Sequence, residues 1–282
     1  MKAKSFVSYG VAILFAAFVL SGINIYGQSK AESKYSKKDF CSNEHYSSND
    51  QASFREKREF TVPATGSLTV DGGKNGGIKV EGSNRSDVLI RACVNAWAKT
   101  DGEAKSIAES VKIDTGSTIK AASSDDANWS VSYEILVPRN IGLKLTAHNG
   151  GISIKSVEGT VEFETNNGGV NLVDLAGDVR GRTTNGGVNV ALTGNSWKGT
   201  GLDVTTTNGG VNLSVPDGYA ANFETGTTNG GVKSDVAALT VETEDKDGWT
   251  KSKRIRASMN GGGAPVRVVT TNGGIKIGSM DK

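Results

Sequence analysis

Two pairs of carboxylates stand close enough along the chain to be weighed as the paired acids of glycoside hydrolysis: Asp174 with Asp178, and Glu162 with Glu164. That chemistry needs one carboxyl held protonated on one side of a bond and a second ionised group opposite it. Asp174 and Asp178 lie on one segment of the chain. Glu162 and Glu164 have the same parity and share a strand face, and Arg180 and Arg182 follow them one repeat later. Both pairs read more simply as solvated faces. His45 lies in a polar lead-in and His148 directly before an Asn-Gly-Gly, neither in a metal-ligand spacing. No Gly-x-Ser-x-Gly nucleophile motif and no Gly-Gly-x-Gly-x-Asp calcium repeat occurs. These residues imply no cofactor and no metal, and the chain reads as a non-enzyme. The enzymatic alternative is a polysaccharide lyase or hydrolase of the β-helix type that uses Asp174 and Asp178.

Two polar rows suit binding better than catalysis. Thr184, Thr207, Thr228 and Thr271 each precede an Asn-Gly-Gly, with Asn166 and His148 in the same place earlier. Asn171, Asn189 and Asn212 recur at one position after it. Together they form a candidate ligand-facing ladder for glycan hydroxyls, or even ice. The plainer reading is a β-favouring polar residue that satisfies a tight corner. Glycan sites also use exposed aromatics, and Trp197, in the loop from Thr193 to Gly201, is the best placed.

The element that must position these rows is the repeat itself. Asn75-Gly76-Gly77, Asn149-Gly150-Gly151, Asn167-Gly168-Gly169 and Asn185-Gly186-Gly187 are each followed by Ile or Val. So are Asn208-Gly209-Gly210, Asn229-Gly230-Gly231 and Asn272-Gly273-Gly274, while Asn260-Gly261-Gly262-Gly263 is a degenerate copy. From Asn149 the intervals run 18, 18, 23 and 21 residues. A fixed period near 20 marks a solenoid. Before each Asn, apolar residues alternate with period two, as in Leu143/Leu145, Val161/Phe163 and Leu202/Val204. After the glycines the alternation resumes one residue out of phase: Ile152/Ile154, Val170/Leu172, Val188/Val190, Val211/Leu213. A corner produces that slip, and Asn and Gly supply the positive φ a sharp corner can use. A meander of Asn-Gly hairpins is the alternative. The outward residues five before the Asn favour stacked coils, because Lys144, Glu162, Arg180 and Asp203 alternate in sign.

The fold class expected is therefore all-β: a single-stranded β-solenoid, or β-helix, with an N-terminal β cap region and one inserted helix. Unequal coil lengths favour the right-handed form. The N-terminal β region spans 58–140 and the solenoid 141–279, with a lateral insertion at about 237–263 and the last coil, Val266 to Ile277, completing the stack. A helix is expected at about 101–113, where Thr100-Asp101-Gly102-Glu103 has capping-box spacing and Ala104, Ile107, Ala108 and Val111 form an apolar stripe.

Residues 1–27 have the form of an export signal: Lys2 and Lys4, then the apolar run Val11 to Leu20, then Gly27-Gln28 as a cleavage point. The run is short for a membrane span. Residues 28–57 read as a polar lead-in. An exported protein, located in the periplasm, on the cell surface or outside the cell, is expected. Membrane attachment follows only if the N-terminal segment stays uncleaved, which is the condition for a membrane-anchored envelope sensor or scaffold. Cys41 and Cys93 then pair as a disulfide. The 32 basic and 30 acidic residues leave a net charge of +2, with no dominant basic stripe, so nucleic acid is not the expected partner. The expected partner is a protein or glycan of the envelope.

Leu68-Thr69-Val70 leading to Gly76-Gly77-Ile78-Lys79-Val80-Glu81-Gly82, the Gly-Gly-Ile/Val coils and the single inserted helix carry a resemblance. Over roughly residues 58–279 the chain resembles a bacterial family of exported β-strand-repeat proteins labelled candidate adhesins, which are domains of unknown function. The resemblance implies a β-solenoid and an envelope location. It implies no catalytic residues.

Overall fold

The computed structural model describes residues 40–41, 51–124, 128–245 and 251–280. The chain divides into Met1–Lys38 and Asp39–Lys282, and every described residue belongs to the second unit. The export signal, most of the polar lead-in and His45 lie outside the described residues.

The N-terminal part contains β1 (Ala52–Pro63), β2 (Ser67–Asp71), β3 (Ile78–Ser83), β4 (Asp87–Ala98), α1 (Asp101–Ser110), β5 (Lys112–Thr115), β6 (Ile119–Ala122) and β7 (Trp129–Pro138). Strand β1 takes up residues 52–57, which the sequence assigned to the lead-in. The repeat follows as β8 (Gly142–Ala147), β9 (Ile152–Lys155), β10 (Glu158–Thr165), β11 (Val170–Val173), β12 (Ala176–Asn185), β13 (Val188–Ala191), β14 (Gly201–Asn208) and β15 (Val211–Val215). The chain ends through β16 (Ala221–Asn229), β17 (Val232–Ser234), β18 (Glu242–Asp245), β19 (Lys251–Met259), β20 (Pro265–Asn272) and β21 (Ile275–Ser279).

These strands form two large sheets. A ten-stranded sheet runs β1-β4-β7-β3-β9-β11-β13-β15-β21-β17, and an eleven-stranded sheet runs β18-β19-β16-β20-β14-β12-β10-β8-β2-β6-β5. Each of the seven full Asn-Gly-Gly corners joins a strand of the second sheet to a strand of the first, so one repeat makes one rung. Rungs pair in parallel and in register, for example Val161↔Val179 in one sheet and Val170↔Val188 in the other. At the ends the pairing turns antiparallel: β1 with β4, β4 with β7, β5 with β6, and β19 with both β16 and β18. The inward residues of both sheets, among them Leu145, Ile154, Val161, Leu172, Val204 and Leu213, make one continuous buried core. This is the period-two apolar pattern expressed twice per rung.

The end of the chain differs from the sequence reading in the order of its rungs. The last rung, β20/β21, does not finish the stack but sits between β14/β15 and β16/β17. Within 237–263, the span the sequence suggests as a lateral insertion, β19 pairs antiparallel along β16 and extends the eleven-stranded sheet. Helix α1 is capped as its sequence indicates. The Thr100 hydroxyl accepts from Glu103 N, and the Glu103 carboxylate accepts from Thr100 N. It packs on β1 and β4, with Ala104 and Ala108 buried.

Candidate functional site

The corners show why the repeat reads Asn-Gly-Gly. None of the seven corner Asn residues and none of their glycines has positive φ. The corner therefore does not depend on left-handed backbone, contrary to the sequence argument. What it depends on is close approach. A methyl group placed on Gly150, Gly168, Gly186, Gly209, Gly273 or Gly230 would fall on the carbonyl oxygen of the first glycine of the adjacent rung. The second glycine is different: a methyl on Gly187 would meet Gly210 O at 3.5 Å, and one on Gly231 would meet nothing. The degenerate copy behaves oppositely, since Asn260, Gly261, Gly262 and Gly263 all have positive φ.

Two sets of side chains lock the corner. Thr165, Thr183, Thr206 and Thr270 are buried, and each donates its hydroxyl to the first-glycine carbonyl of the preceding rung, at 2.7–2.8 Å. Outside them the corner asparagines form an amide ladder. Each Nδ2 donates to the Oδ1 of its neighbour in the order Asn149→Asn75, Asn167→Asn149, Asn185→Asn167, Asn208→Asn185, Asn272→Asn208 and Asn229→Asn272, over 2.7–3.0 Å. The ladder crosses all seven rungs in their spatial order.

Thr184, Thr207, Thr271 and Thr228 are exposed and occupy four consecutive rungs at the ends of strands of the eleven-stranded sheet. Asn171, Asn189 and Asn212 lie beyond the corner in the ten-stranded sheet. The two rows thus belong to different sheets rather than to one ligand-facing ladder. His148 joins the first of them through Asn166 Nδ2, 2.9 Å from its Nδ1. Trp197 is no surface aromatic: it is 6% exposed, and its indole N–H donates to Gly177 O at 3.0 Å.

The outer face of the eleven-stranded sheet carries an alternating charge row. In register it reads Lys144, Glu162, Arg180, Asp203, Arg267, Glu224, Arg256. Arg267 bonds Asp203 at 2.6 Å and approaches Glu224 at 3.8 Å. One row over, Arg182 bonds Glu164 at 2.7 Å. A hollow of about 430 Å³ opens here, lined among others by Lys144, Glu162, Glu164, Arg180 and Arg182.

The outer face of the ten-stranded sheet carries one row that crosses every strand: Glu59, Arg91, Glu134, Lys79, Ser153, Asn171, Asn189, Asn212, Lys276, Lys233. The first four form an ion chain, with Arg91 to Glu59 at 2.9 Å, Arg91 to Glu134 at 3.2 Å and Lys79 to Glu134 at 2.7 Å. Burial opposes ionisation of Glu134, but its hydrogen bonds and charge contacts with Lys79 and Arg91 outweigh that and hold its pKa below the usual carboxylate value. In the middle, Asn171 donates to Ser153 Oγ at 3.3 Å and Asn212 donates to Asn189 Oδ1 at 2.8 Å. A shallow, mostly apolar trough of about 360 Å³ lies beside this row, lined by Phe40, Gly77, Gly151, Gly169, Ser153 and Asn171. Phe40 is anchored there by its neighbour Cys41, which forms a disulfide with Cys93.

The weighed acids are bound up in structure. Asp174 has φ 54° and accepts from Thr193 Oγ1 at 2.6 Å and Ser156 Oγ at 2.7 Å, with Arg139 at 3.5 Å. Burial raises its pKa, but these donors outweigh burial and the net shift is downward. Asp178 pairs with Arg180 at 3.1 Å. Among the described residues no group of three or more His, Cys, Asp or Glu is arranged to hold a metal ion.

The family model described as Toastrack DUF4097 matches residues 45–278. No curated protein matches the chain. Among solved structures, a candidate cell adhesion protein from Clostridium sporogenes is similar at 11% identity, covering 80% of this chain and 100% of its own, with a TM-score of 0.40. A candidate adhesin from Bacteroides fragilis is similar at 10% identity, covering 80% of this chain and 97% of its own, with a TM-score of 0.36.

Proposed function

This chain belongs to the Toastrack DUF4097 family, and on that footing we propose that it is an exported, non-enzymatic β-solenoid serving as an adhesin-like interaction module of the bacterial cell envelope. Its rungs form a single-stranded solenoid. The right-handed sense follows from the hand that strand twist imposes on connections between parallel strands of one sheet.

The observation that carries the functional reading is the seven-rung asparagine ladder with its buried threonine locks. It holds the flanking outer rows at fixed spacing, about 4.8 Å per rung. A surface already rigid loses little conformational entropy when a partner docks, so a modest contact energy per rung goes into affinity. The disulfide supports an oxidising compartment, where such bonds persist. The enzymatic alternative needs a carboxyl that holds a proton at working pH. Asp174 is shifted the wrong way for that, and its oxygens already accept hydroxyl hydrogen bonds.

The test is photo-cross-linking in intact cells from a probe at Asn189, with a second probe at buried Val190 as control. The expected result is an adduct with an envelope component from position 189 alone. Protease shaving of a C-terminally tagged copy then separates surface from periplasm: digestion in intact cells means the surface, protection until lysis means the periplasm. Turnover of a polysaccharide that disappears in Asp174→Asn or Asp178→Asn would overturn the non-enzymatic reading.

A further inference from the structure

The lateral row on the ten-stranded sheet has one anomaly, at its end. Wherever else charges face each other in such rows they alternate. They do so along Lys144, Glu162, Arg180, Asp203, Arg267, Glu224 and Arg256, in the chain Glu59, Arg91, Glu134 and Lys79, and between Lys155 and Glu81 at 3.1 Å. Lys276 and Lys233 break this rule. They are in-register neighbours, both exposed, and among the described residues neither forms an ion pair. Asp235, exposed and just past the end of β17, pairs with neither. Like charges one strand apart repel. A lysine on an edge strand has a reason of its own, since it blocks edge-to-edge association. That covers Lys233 on β17. It does not cover Lys276, because β21 is paired on both sides.

We propose that this end of the sheet binds an extended acidic polysaccharide, with its carboxylates held by Lys276 and Lys233 and its hydroxyls met by Asn212, Asn189 and Asn171. The site deepens the interaction-module reading and rests on it. Two adjacent ammonium groups supply the charge that a carboxylate or a run of carboxylates needs. Each ladder amide has two N–H donors and an oxygen with two lone pairs, and the rung-to-rung bond uses only part of that capacity. The remainder suits hydroxyls, which donate and accept. Toward the corner the row is flanked by Gly187, Gly210 and Gly274, which offer no side chains to build the alternate-residue pockets by which a peptide strand is read. Two cations also neutralise too few phosphates for stable nucleic-acid binding.

The test is calorimetric titration of the full chain with an oligogalacturonate. A neutral dextran oligomer and a polyaspartate peptide of similar length serve as comparators. The expected result is binding of oligogalacturonate alone, weakened by salt. Lys276→Gln and Lys233→Gln should each cut affinity about tenfold, whereas Lys144→Gln, which removes the same charge from the other sheet, leaves it unchanged. Both lysine variants should melt at or above the parent temperature, because each relieves a like-charge contact, so lost binding would not report unfolding. Equal weakening by Lys144→Gln, preference for polyaspartate, or no binding of oligogalacturonate would each overturn the site. A cross-linked partner at Asn189 that survives such a result would leave the interaction module standing without it.

Discussion

Gly186 and Gly187 are adjacent and chemically identical, yet the structure assigns them different consequences. A methyl on Gly186 would sit on Gly168 O, with Gly169 N 3.0 Å away, so the two rungs must part. Four bonds tie those rungs beside the corner: Asn185 N to Asn166 O at 2.7 Å, Val170 N to Gly187 O at 2.8 Å, Asn185 Nδ2 to Asn167 Oδ1 at 2.8 Å and Thr183 Oγ1 to Gly168 O at 2.8 Å. Overpacking alone costs about 1–3 kcal/mol, and each weakened bond adds up to about 1 kcal/mol. Gly186→Ala is thus expected to lose on the order of 4 kcal/mol, a fall in Tm of roughly 10 °C for a folded unit of this size. Gly187→Ala places its methyl in ordinary contact with Gly210 O and demands no left-handed backbone. It should change stability by less than about 1 kcal/mol, and in the stabilising direction if reduced freedom of the unfolded chain dominates. Exposed Asn189→Ser should cost only a few tenths of a kcal/mol. The assay is thermal and urea unfolding followed by circular dichroism with the disulfide intact. Equal midpoints for the two glycine variants would refute the close-approach argument.

Other outcomes follow from the same geometry. Thr206→Val keeps the shape but leaves Gly186 O without its hydroxyl donor, so urea unfolding should show a loss of about 1–2 kcal/mol; Thr206→Ser should lose less. Arg267→Glu would set a third acid between Asp203 and Glu224 in one row. It should cost about 1 kcal/mol in low salt and less in high salt, because the groups are part exposed, as unfolding at two ionic strengths would show. Glu134 has a folded pKa below its unfolded value, so its contribution is present at neutral pH and is lost as pH falls below the ordinary Glu value of about 4. Glu134→Gln should flatten the stability profile in that acid range, as read by unfolding at stepped pH. Reduction of Cys41–Cys93, which spans 52 residues, should lower stability by about 4 kcal/mol in the chain-entropy model, visible as an earlier melt in reductant.

Much of the architecture was legible because it is periodic. Apolar residues at Val161/Phe163 and Val170/Leu172 recur rung after rung, and a pattern repeated that often constrains both faces of a strand. The cap of α1 and the cystine were legible because each depends on few residues. The reason for the corner glycines was not, because the atom that excludes a side chain from Gly186 belongs to Gly168, a full rung away. Local sequence points to conformational freedom, and the structure uses absence of volume instead. Trp197 was misplaced for a related reason: its partner, Gly177 O, lies on the preceding rung. The candidate ladder was readable as two residue rows but not as two sheets, since the corner separates Thr184 from Asn189 within five residues.

The order of the last rungs had a signal in the sequence. Five residues before the asparagines, the charges run Lys144, Glu162, Arg180, Asp203 and then Glu224, so alternation fails at the last step, and Arg267 arrives later in the chain with the missing sign. Charge alone is a weak arbiter. Moving β20/β21 to the outside would set Asp203 beside Glu224 and cost about 1 kcal/mol. Both rungs carry Thr-Asn-Gly-Gly, so the asparagine ladder closes equally well in either order. What decides is β19. It pairs with β16 over seven register positions, from Ala221↔Met259 to Thr227↔Lys253, and needs one edge of β16 free. With β16 wedged between β14 and β20 that edge would be gone. The turn from β19 to β20 then has to pass the start of β16. Asn260, Gly261, Gly262 and Gly263 make that passage with four successive positive φ angles, with Asn260 Nδ2 bonded to Tyr219 O at 3.0 Å. The copy of the repeat that lost its apolar residue is the crossover that threads the final rung into the stack.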